Sequence, residues 1–226
     1  LYSTSSIGSH LAAMAEDHRQ IEQGLRCNIV RIIDAARAAG TKIAFCTVVS
    51  NLEGVEPLKS VHLVPLGRRE EMEFDLCYVV GKLDLQFAPP VGGGRWRDEV
   101  SSALAYLNRA MEIDATYADM RYRRGKCLAL LGQYVEAKRE FEAARDLDMA
   151  TGRARSYINR ALKQECGKRG VAVVDIVPPF EAAARHGIMG DDLFIDEVHP
   201  NARGHEIIAR TIVQDLFSRH NGFSVR

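Results

Sequence analysis

Thr41-Lys-Ile-Ala-Phe-Cys-Thr-Val-Val49 is the stretch that decides the fold class of this chain of 226 residues. It is rich in β-branched residues and shows no alternation of polar and apolar positions, which is typical of a parallel strand covered on both faces. Gly170-Val-Ala-Val-Val-Asp-Ile-Val177 has the same character and is followed by Pro178-Pro179. The two stretches predict two buried parallel strands.

Helical patterns surround both predicted strands. Residues 11 to 39 carry apolar positions at helical spacing up to Gly40, and either two helices or one bent helix would fit them. A second helix is predicted from about 153 to 168, and Asn201 is a plausible N-cap for a closing helix. Helix, strand, helix, strand, helix is an α/β order. Since stable open sheets usually hold about four to six strands, we expect further strands from elsewhere in the polypeptide.

An internal repeat separates the two predicted strands. Small, apolar and acidic residues recur at a spacing of 34: Ala103, Ala110, Ile113 and Asp114 are followed by Ala137, Ala144, Leu147 and Asp148. This period is that of a tetratricopeptide repeat. Residues 118 to 151 resemble one whole repeat of that family, through Tyr122, Gly125, Gly132-Gln-Tyr134, Ala137, Phe141, Ala144 and Asp148.

An earlier copy of the repeat is visible at Tyr78-x-x-Gly81-Lys82, which matches the Tyr-x-x-Gly-Lys sequence that begins at Tyr122. The shift between the copies is 44 residues, and the surplus lies in the run from Pro89 to Gly94, which a helix interior would not accept. We therefore predict two helical repeats over about 68 to 151, the first with a long loop.

Composition narrows the class of protein. Thirty basic residues balance thirty acidic ones, so nothing indicates binding to nucleic acid or to an anionic membrane surface. Five widely spaced cysteines without a C-x-x-C predict neither a disulfide framework nor a zinc site, and favour a reducing, cytoplasmic compartment. No apolar run approaches the roughly 20 residues of a membrane span. Localisation stays open, because the chain begins at Leu1 and a signal peptide could precede it.

Candidate catalytic residues lie in Asp191-Asp-Leu-Phe-Ile-Asp196-Glu-Val-His199-Pro-Asn-Ala-Arg-Gly204-His205. An aspartate three residues before a histidine can hold one imidazole nitrogen and leave the other as a general base. The alternative is structural: Asp196 caps a local turn while His199 packs under the last helix. Both interpretations require a turn at this position, and only the first requires a nucleophile.

This block, placed between the last strand and the last helix, resembles the final sequence block of SGNH (GDSL-type) ester hydrolases. The resemblance implies a flavodoxin-like three-layer α/β/α fold and a serine hydrolase that needs no metal or cofactor. It implies that His199 is the general base and that Asp196 orients and stabilises its imidazole. The substrate would be a small ester or an acylated compound.

The family's other blocks are not found in this sequence. No Gly-Asp-Ser and no Gly-x-Asn precedes the first repeat, and Ser9 follows Gly8 without a strand before it. We therefore expect the chain to be the C-terminal portion of a longer hydrolase, lacking the N-terminal strands and the nucleophile, and to be inactive alone. Thr47-Val-Val-Ser50-Asn51 matches a subgroup that carries tetratricopeptide repeats after this strand. Ser50 and Asn51 would line the substrate site, or would simply form a turn.

The predicted organisation is an α/β hydrolase part over 1–54, a helical insertion over 55–151 and a C-terminal α/β part over 152–226 that carries Asp196 and His199. The alternative function is a protein-binding scaffold, in which the repeats recognise a protein or peptide and the α/β part is catalytically degenerate.

Overall fold

The computed structural model describes the backbone of residues 4–89, 91–150 and 152–218, and within these the side chains from residue 19 to residue 216. Residue contacts divide the chain into two units. The helical unit contains Leu52–Thr151 with Leu1–Leu11, and the sheet unit contains Ala12–Asn51 with Gly152–Arg226.

The elements follow one another in the order α1 (Thr4–Ala38), β1 (Ala44–Cys46), α2 (Arg68–Phe87), α3 (Trp96–Ile113), α4 (Ala118–Leu130), α5 (Tyr134–Leu147), α6 (Ser156–Arg169), β2 (Ala172–Val174), α7 (Val177–Ala183) and α8 (Ala202–Val213). A short 3₁₀ turn, Arg185–Gly187, follows α7, and π-helical residues Gln214–Ser218 continue α8.

The sheet unit is built on two parallel strands. Ala44 of β1 lies opposite Ala172 of β2, and Cys46 lies opposite Val174. Both predicted strands are present but shorter than expected. The Ile176 N–H donates a hydrogen bond to the Thr47 hydroxyl at 2.9 Å instead of to a backbone carbonyl of β1. The backbone pairing of the two strands therefore ends here.

One local prediction is decided and one needs correction. The pattern over residues 11 to 39 left two helices or one bent helix open, and the structure has a single helix, α1. The sequence predicts a strand that reaches Val177 and breaks at Pro178-Pro179, whereas α7 begins at Val177 with the prolines in its first turn. Proline fits there because the first N–H groups of a helix have no partner within the helix.

Helix α1 packs on α6 and on one face of the strands. Ile29 and Ile33, one helical turn apart, are buried against Leu162 and Cys166 of α6, with Phe45 of β1 beside them. An ion pair borders this core, since the Arg26 guanidinium lies 2.9 Å from a Glu165 carboxylate oxygen. The sheet unit therefore has a small apolar core next to the strands.

The helical unit contains the helix pairs α2 with α3 and α4 with α5, and α3 packs on α4. Glycine allows close approach within each pair. A Cβ on Gly81 would lie 2.8 Å from Leu107 Cγ, and one on Gly125 would lie 2.8 Å from Phe141 Cε1. The two glycines that the repeat alignment matched therefore occupy helix contacts of the same kind. The buried core joins three helices, through Phe74, Cys77, Val100, Ala103, Leu107, Ala110, Met120 and Cys127.

Two aspartates 34 residues apart occupy equivalent positions at the ends of helices. Asp114 is the C-cap residue of α3 and Asp148 that of α5, and both are buried. Asp114 accepts hydrogen bonds from Thr116, and Asp148 accepts them from the backbone N–H groups of Leu58 and Lys59 at 3.1 and 3.0 Å. The acidic residue of the 34-residue period thus fixes the chain at a helix end.

The described residues are mostly helical with one small parallel sheet, which is consistent with an α/β hydrolase-like domain. The three-layer arrangement with additional strands stays a prediction, as do the three domain boundaries.

Candidate active site

The candidate catalytic residues lie on the loop between the 3₁₀ turn and α8. Asp196 begins a tight turn in which its Oδ1 atom accepts hydrogen bonds from the backbone N–H groups of Val198 at 2.9 Å and His199 at 2.7 Å. The turn closes with a hydrogen bond of 3.0 Å from the Ile195 N–H to the His199 carbonyl. Aspartate suits this position because its short side chain can bond the backbone two and three residues ahead.

The same turn brings the two side chains together. Asp196 Oδ2 lies 2.7 Å from His199 Nδ1. Bonding at Nδ1 leaves Nε2 as the nitrogen that can exchange a proton with another group. The His199 side chain is 69 % exposed and that of Asp196 is 43 % exposed. Thus Asp196 does form a local turn, but His199 does not pack beneath the last helix as the structural alternative required.

The pKa of Asp196 is lowered to about 2. The backbone N–H groups of His199 and Val198 contribute most to this, followed by the His199 side chain. Because hydrogen bonds to a carboxylate favour its charged form, Asp196 is ionised throughout the physiological pH range. An ionised carboxylate stabilises an imidazolium, which is the form that a general base reaches after it takes a proton.

A pH titration tests the cause of this shift. Since backbone donors dominate, His199→Ala should leave the pKa of Asp196 below its ordinary value of 3.8. The depressed pKa also means that the turn is stabilised above that ordinary value and loses this stabilisation as the pH falls through about 2. Carbon NMR of the Asp196 carboxyl would measure the midpoint, and a wild-type midpoint at or above 3.8 would contradict this geometry.

Asn51 lies five residues beyond the end of β1 and holds the loop in place. Its amide donates to Asp191 Oδ1 at 2.7 Å and to the Asp196 carbonyl at 3.3 Å. Its backbone N–H donates to the Glu197 carbonyl at 3.0 Å, and its own carbonyl accepts from Arg153 at 3.2 Å. The segment that follows β1 is thereby tied to the residues that carry the candidate pair.

Ser50 and Asn51 are both almost fully buried, with 1 % and 0 % exposure. Among the described residues, the Ser50 hydroxyl finds no hydrogen-bond partner. The structure thus adds a supporting role for Asn51 to the turn and substrate roles considered from sequence. A role in lining the substrate site stays a prediction for both residues.

The other end of the loop is fixed at the start of α8. Asn201 is the N-cap, as predicted, and its side chain accepts from the Gly204 N–H at 3.1 Å. Gly204 is required for a separate reason. A Cβ at this position would lie 2.7 Å from the Leu193 carbonyl oxygen and 2.7 Å from Pro200 Cβ. The helix can therefore approach the loop only with glycine at residue 204.

Gly204→Ala should destabilise the sheet unit by about 1–3 kcal/mol, the usual cost of overpacking, because the loop backbone has to move. Gly167→Ala is the matched control: Gly167 lies in α6 with nothing within 4 Å of its added Cβ. Alanine there should instead stabilise by about 0.5–1 kcal/mol. Chemical denaturation of both variants measures the difference, and equal stability would contradict the close packing at Gly204.

A second histidine–aspartate pair was missed in the sequence because its members are 52 residues apart. His62 Nδ1 lies 2.7 Å from Asp114 Oδ2, the same distance as in the first pair. Here the aspartate side chain is fully buried and the histidine is only 26 % exposed, with rings of Phe74 and Tyr117 against the imidazole. Burial raises the pKa of Asp114, but hydrogen bonds from His62 and Thr116 outweigh it and the net shift is downward. This pair is a packed structural contact.

Two features are absent from the described residues. No helix among them is long and apolar enough to cross a bilayer. They also contain no group of three or more histidine, cysteine, aspartate or glutamate side chains arranged to hold a metal ion.

Comparison with known families decides the broad class. A model of the family described as GDSL-like lipase/acylhydrolase matches residues 98–212. The chain belongs to this family. The matched part, half of the chain, includes Asp196 and His199 and begins inside α3. No curated protein sequence and no solved structure matches the chain. Membership indicates a hydrolase that acts on ester or acyl bonds, whereas the tetratricopeptide repeats remain a prediction from sequence.

Proposed function

We propose that this GDSL-like hydrolase uses Asp196 and His199 as the acid–base half of a serine-dependent triad of the SGNH type. The observation that carries the proposal is the exposed pair, with 2.7 Å between Asp196 Oδ2 and His199 Nδ1. In the chemistry proposed, His199 Nε2 takes the proton of a serine hydroxyl as that oxygen attacks the ester carbonyl. The imidazolium then protonates the departing alkoxide, and water releases the acyl group by the same steps.

The nucleophile is proposed to come from a segment outside residues 1–226. The serine block of the family is not recognisable in this sequence. Ser50 is an unsuitable nucleophile because it is 1 % exposed. The 226-residue chain alone should therefore show no ester hydrolysis beyond that of a simple imidazole.

The test uses the protein at its full natural length. We expect it to hydrolyse p-nitrophenyl butyrate and to be inactivated by a fluorophosphonate, which bonds covalently to an activated serine. Mass spectrometry should locate the adduct on a serine outside residues 1–226. An adduct on Ser50 or Ser9 would disprove the assignment of the nucleophile, and lack of turnover and labelling would disprove the hydrolase mechanism.

The second candidate function is binding of an acidic peptide by tetratricopeptide-like helices. It is favoured by a cavity of about 460 Å³ in the helical unit, lined by α2 and α4. Lys82, Arg123 and Lys126 contribute cationic groups to this cavity, and Leu85 and Leu130 contribute apolar ones. The Arg123 guanidinium already donates two hydrogen bonds to the Glu56 carboxylate, at 3.0 and 2.5 Å. This ion pair reduces the positive charge available to a ligand in the cavity.

Binding of a fluorescent peptide of alternating glutamate and leucine would test this second function. A scaffold should bind it with an affinity that falls steeply with added salt and falls again in Lys126→Glu. Ester hydrolysis without measurable binding of the peptide would exclude the scaffold function and support the hydrolase proposal.

A further inference from the structure

Helix α2 is apolar on two opposite faces. One face packs into the helical unit through Phe74, Cys77 and Gly81. The other face carries large apolar side chains exposed to solvent: Met72 at 66 %, Leu76 at 64 %, Val79 at 46 %, Leu83 at 44 % and Phe87 at 74 %. We call these five residues the α2 stripe. A helix with apolar residues on both faces is normally covered on both, and a contiguous exposed apolar patch indicates an interaction site.

The spacing within the α2 stripe is that of a helix–helix seam. Its residues follow one another at intervals of four, three, four and four, close to the alternation of three and four in a coiled coil. From Met72 to Phe87 the stripe extends about 22 Å, since a helix rises about 1.5 Å per residue. A single partner helix of similar length could cover it.

Charges beside the α2 stripe identify a second copy of this chain as the partner. Asp75 and Lys82, seven residues apart, lie along the same edge of the stripe. When two copies of α2 pair antiparallel about a point near Val79, Asp75 of each copy comes opposite Lys82 of the other. A parallel pair would instead place Asp75 and Lys82 beside Val80 and Phe87. On the other edge the same register brings Glu73 opposite Asp84 of the second copy. Glu73 is already paired with Arg109 at 2.6 Å and Asp84 accepts from the Ser102 hydroxyl at 3.0 Å, so the Asp75–Lys82 contacts favour the antiparallel arrangement.

Lys82 is available for this contact. Its ammonium lies 3.3 Å from the Tyr78 hydroxyl and 3.6 Å from an Asp119 carboxylate oxygen, while 39 % of its side chain stays exposed. An ammonium has three N–H donors, so one is left for a carboxylate of the second copy. Asp75 is exposed.

We propose that two copies of this chain associate through their α2 stripes, antiparallel and around a two-fold axis near Val79. Such an interface is isologous, because each copy offers the same patch to the other. One helix pair buries less than the roughly 1,600 Å² of a standard interface. The dimer is therefore weak and reversible, with a dissociation constant in about the micromolar range.

Sedimentation of the 226-residue chain at increasing concentration tests the association. We expect a monomer–dimer equilibrium whose dissociation constant rises by at least about tenfold in Leu76→Glu, because a charge then enters the seam. Asp75→Lys should weaken the dimer as well, since it opposes Lys82 with a like charge. Asp98→Lys is the matched control, an exposed aspartate on α3 outside the α2 stripe, and should leave association unchanged. Thermal melting checks that each variant is folded.

Cross-linking tests the orientation. Cys27 is exposed and is replaced by serine in every sample. Under mild oxidation, a mixture of Met72→Cys and Phe87→Cys chains should give the mixed dimer, and Met72→Cys alone should give little. Efficient linkage of Met72→Cys to itself would overturn the antiparallel arrangement. A monomer at every concentration, or a dimer that Leu76→Glu and Asp75→Lys leave intact, would overturn the proposal.

Discussion

Replacing His199 with alanine should lower kcat/KM for ester hydrolysis by the full-length protein at least about a thousandfold, the size expected when a triad member is removed. In the proposed mechanism His199 Nε2 takes the proton of the nucleophile, and without it the hydroxyl would attack at its ordinary, low reactivity. Since the His199 side chain is 69 % exposed, the substitution leaves no buried cavity, and the thermal midpoint should hardly change.

His205→Ala is the control for this experiment. His205 is an exposed histidine on α8, six residues beyond His199. Its removal should change kcat/KM by less than about threefold, as expected for a side chain outside the reaction. If both variants lost activity equally, or if His199→Ala lost less than about tenfold, His199 would not be the base.

The second large effect is expected for Asp196→Asn, which keeps the size of the side chain but replaces the negative charge with an amide. The amide oxygen would still accept from the backbone N–H groups of Val198 and His199, so the turn should persist. The amide NH₂ group would then face His199 Nδ1, where it favours the tautomer with the proton on Nε2. That tautomer cannot act as a base, and the loss in kcat should approach about 10⁴, as for the corresponding change in serine-protease triads.

Two further measurements distinguish the charge of Asp196 from its role in the turn. Asp196→Asn also removes the charge that stabilises the imidazolium, so its residual activity should increase at higher pH, where hydroxide can replace the base. Asp196→Ala would remove the turn acceptor too, and should disorder residues 196–199 in addition to lowering activity. Equal kinetics for wild type and Asp196→Asn would show that Asp196 serves the turn alone.

Local sequence patterns predicted the parts of the site that depend on near neighbours. The Asp-x-x-His spacing places Asp196 and His199 in one turn, and Asn201 caps α8 because its side chain reaches an N–H three residues ahead. The helical spacing before each strand likewise predicted α1 and α6. These features follow from backbone geometry over a few residues, which is why a single sequence contains them.

Long-range contacts were not predictable in the same way. The Thr47-Val-Val-Ser50-Asn51 resemblance placed Asn51 near the site, but its bonds to the loop at Asp191 and Asp196 span more than a hundred residues, and no local pattern specifies them. The His62–Asp114 pair was missed for the same reason. The 34-residue period does relate Asp114 to Asp148. Their recurrence is the sequence signal that both residues form hydrogen bonds at a helix end.

The two histidine–aspartate pairs show why distance alone does not identify a catalytic site. Both pairs have 2.7 Å between Nδ1 and a carboxylate oxygen. In the first, the histidine is open to solvent, whereas in the second it lies among aromatic rings over a fully buried carboxylate. His62→Ala should accordingly destabilise the helical unit, because removing the imidazole leaves the buried Asp114 Oδ2 atom without its hydrogen-bond partner.

Nitrogen NMR of the His199 imidazole in the 226-residue chain, at a pH where the ring is neutral, tests most directly whether Asp196 holds His199 as a base. We expect a proton on Nδ1, held by Asp196, and an unprotonated Nε2, with the preference reversed in Asp196→Asn. A neutral ring that carries its proton on Nε2 in the wild type, or that exchanges freely between both tautomers, would contradict this expectation.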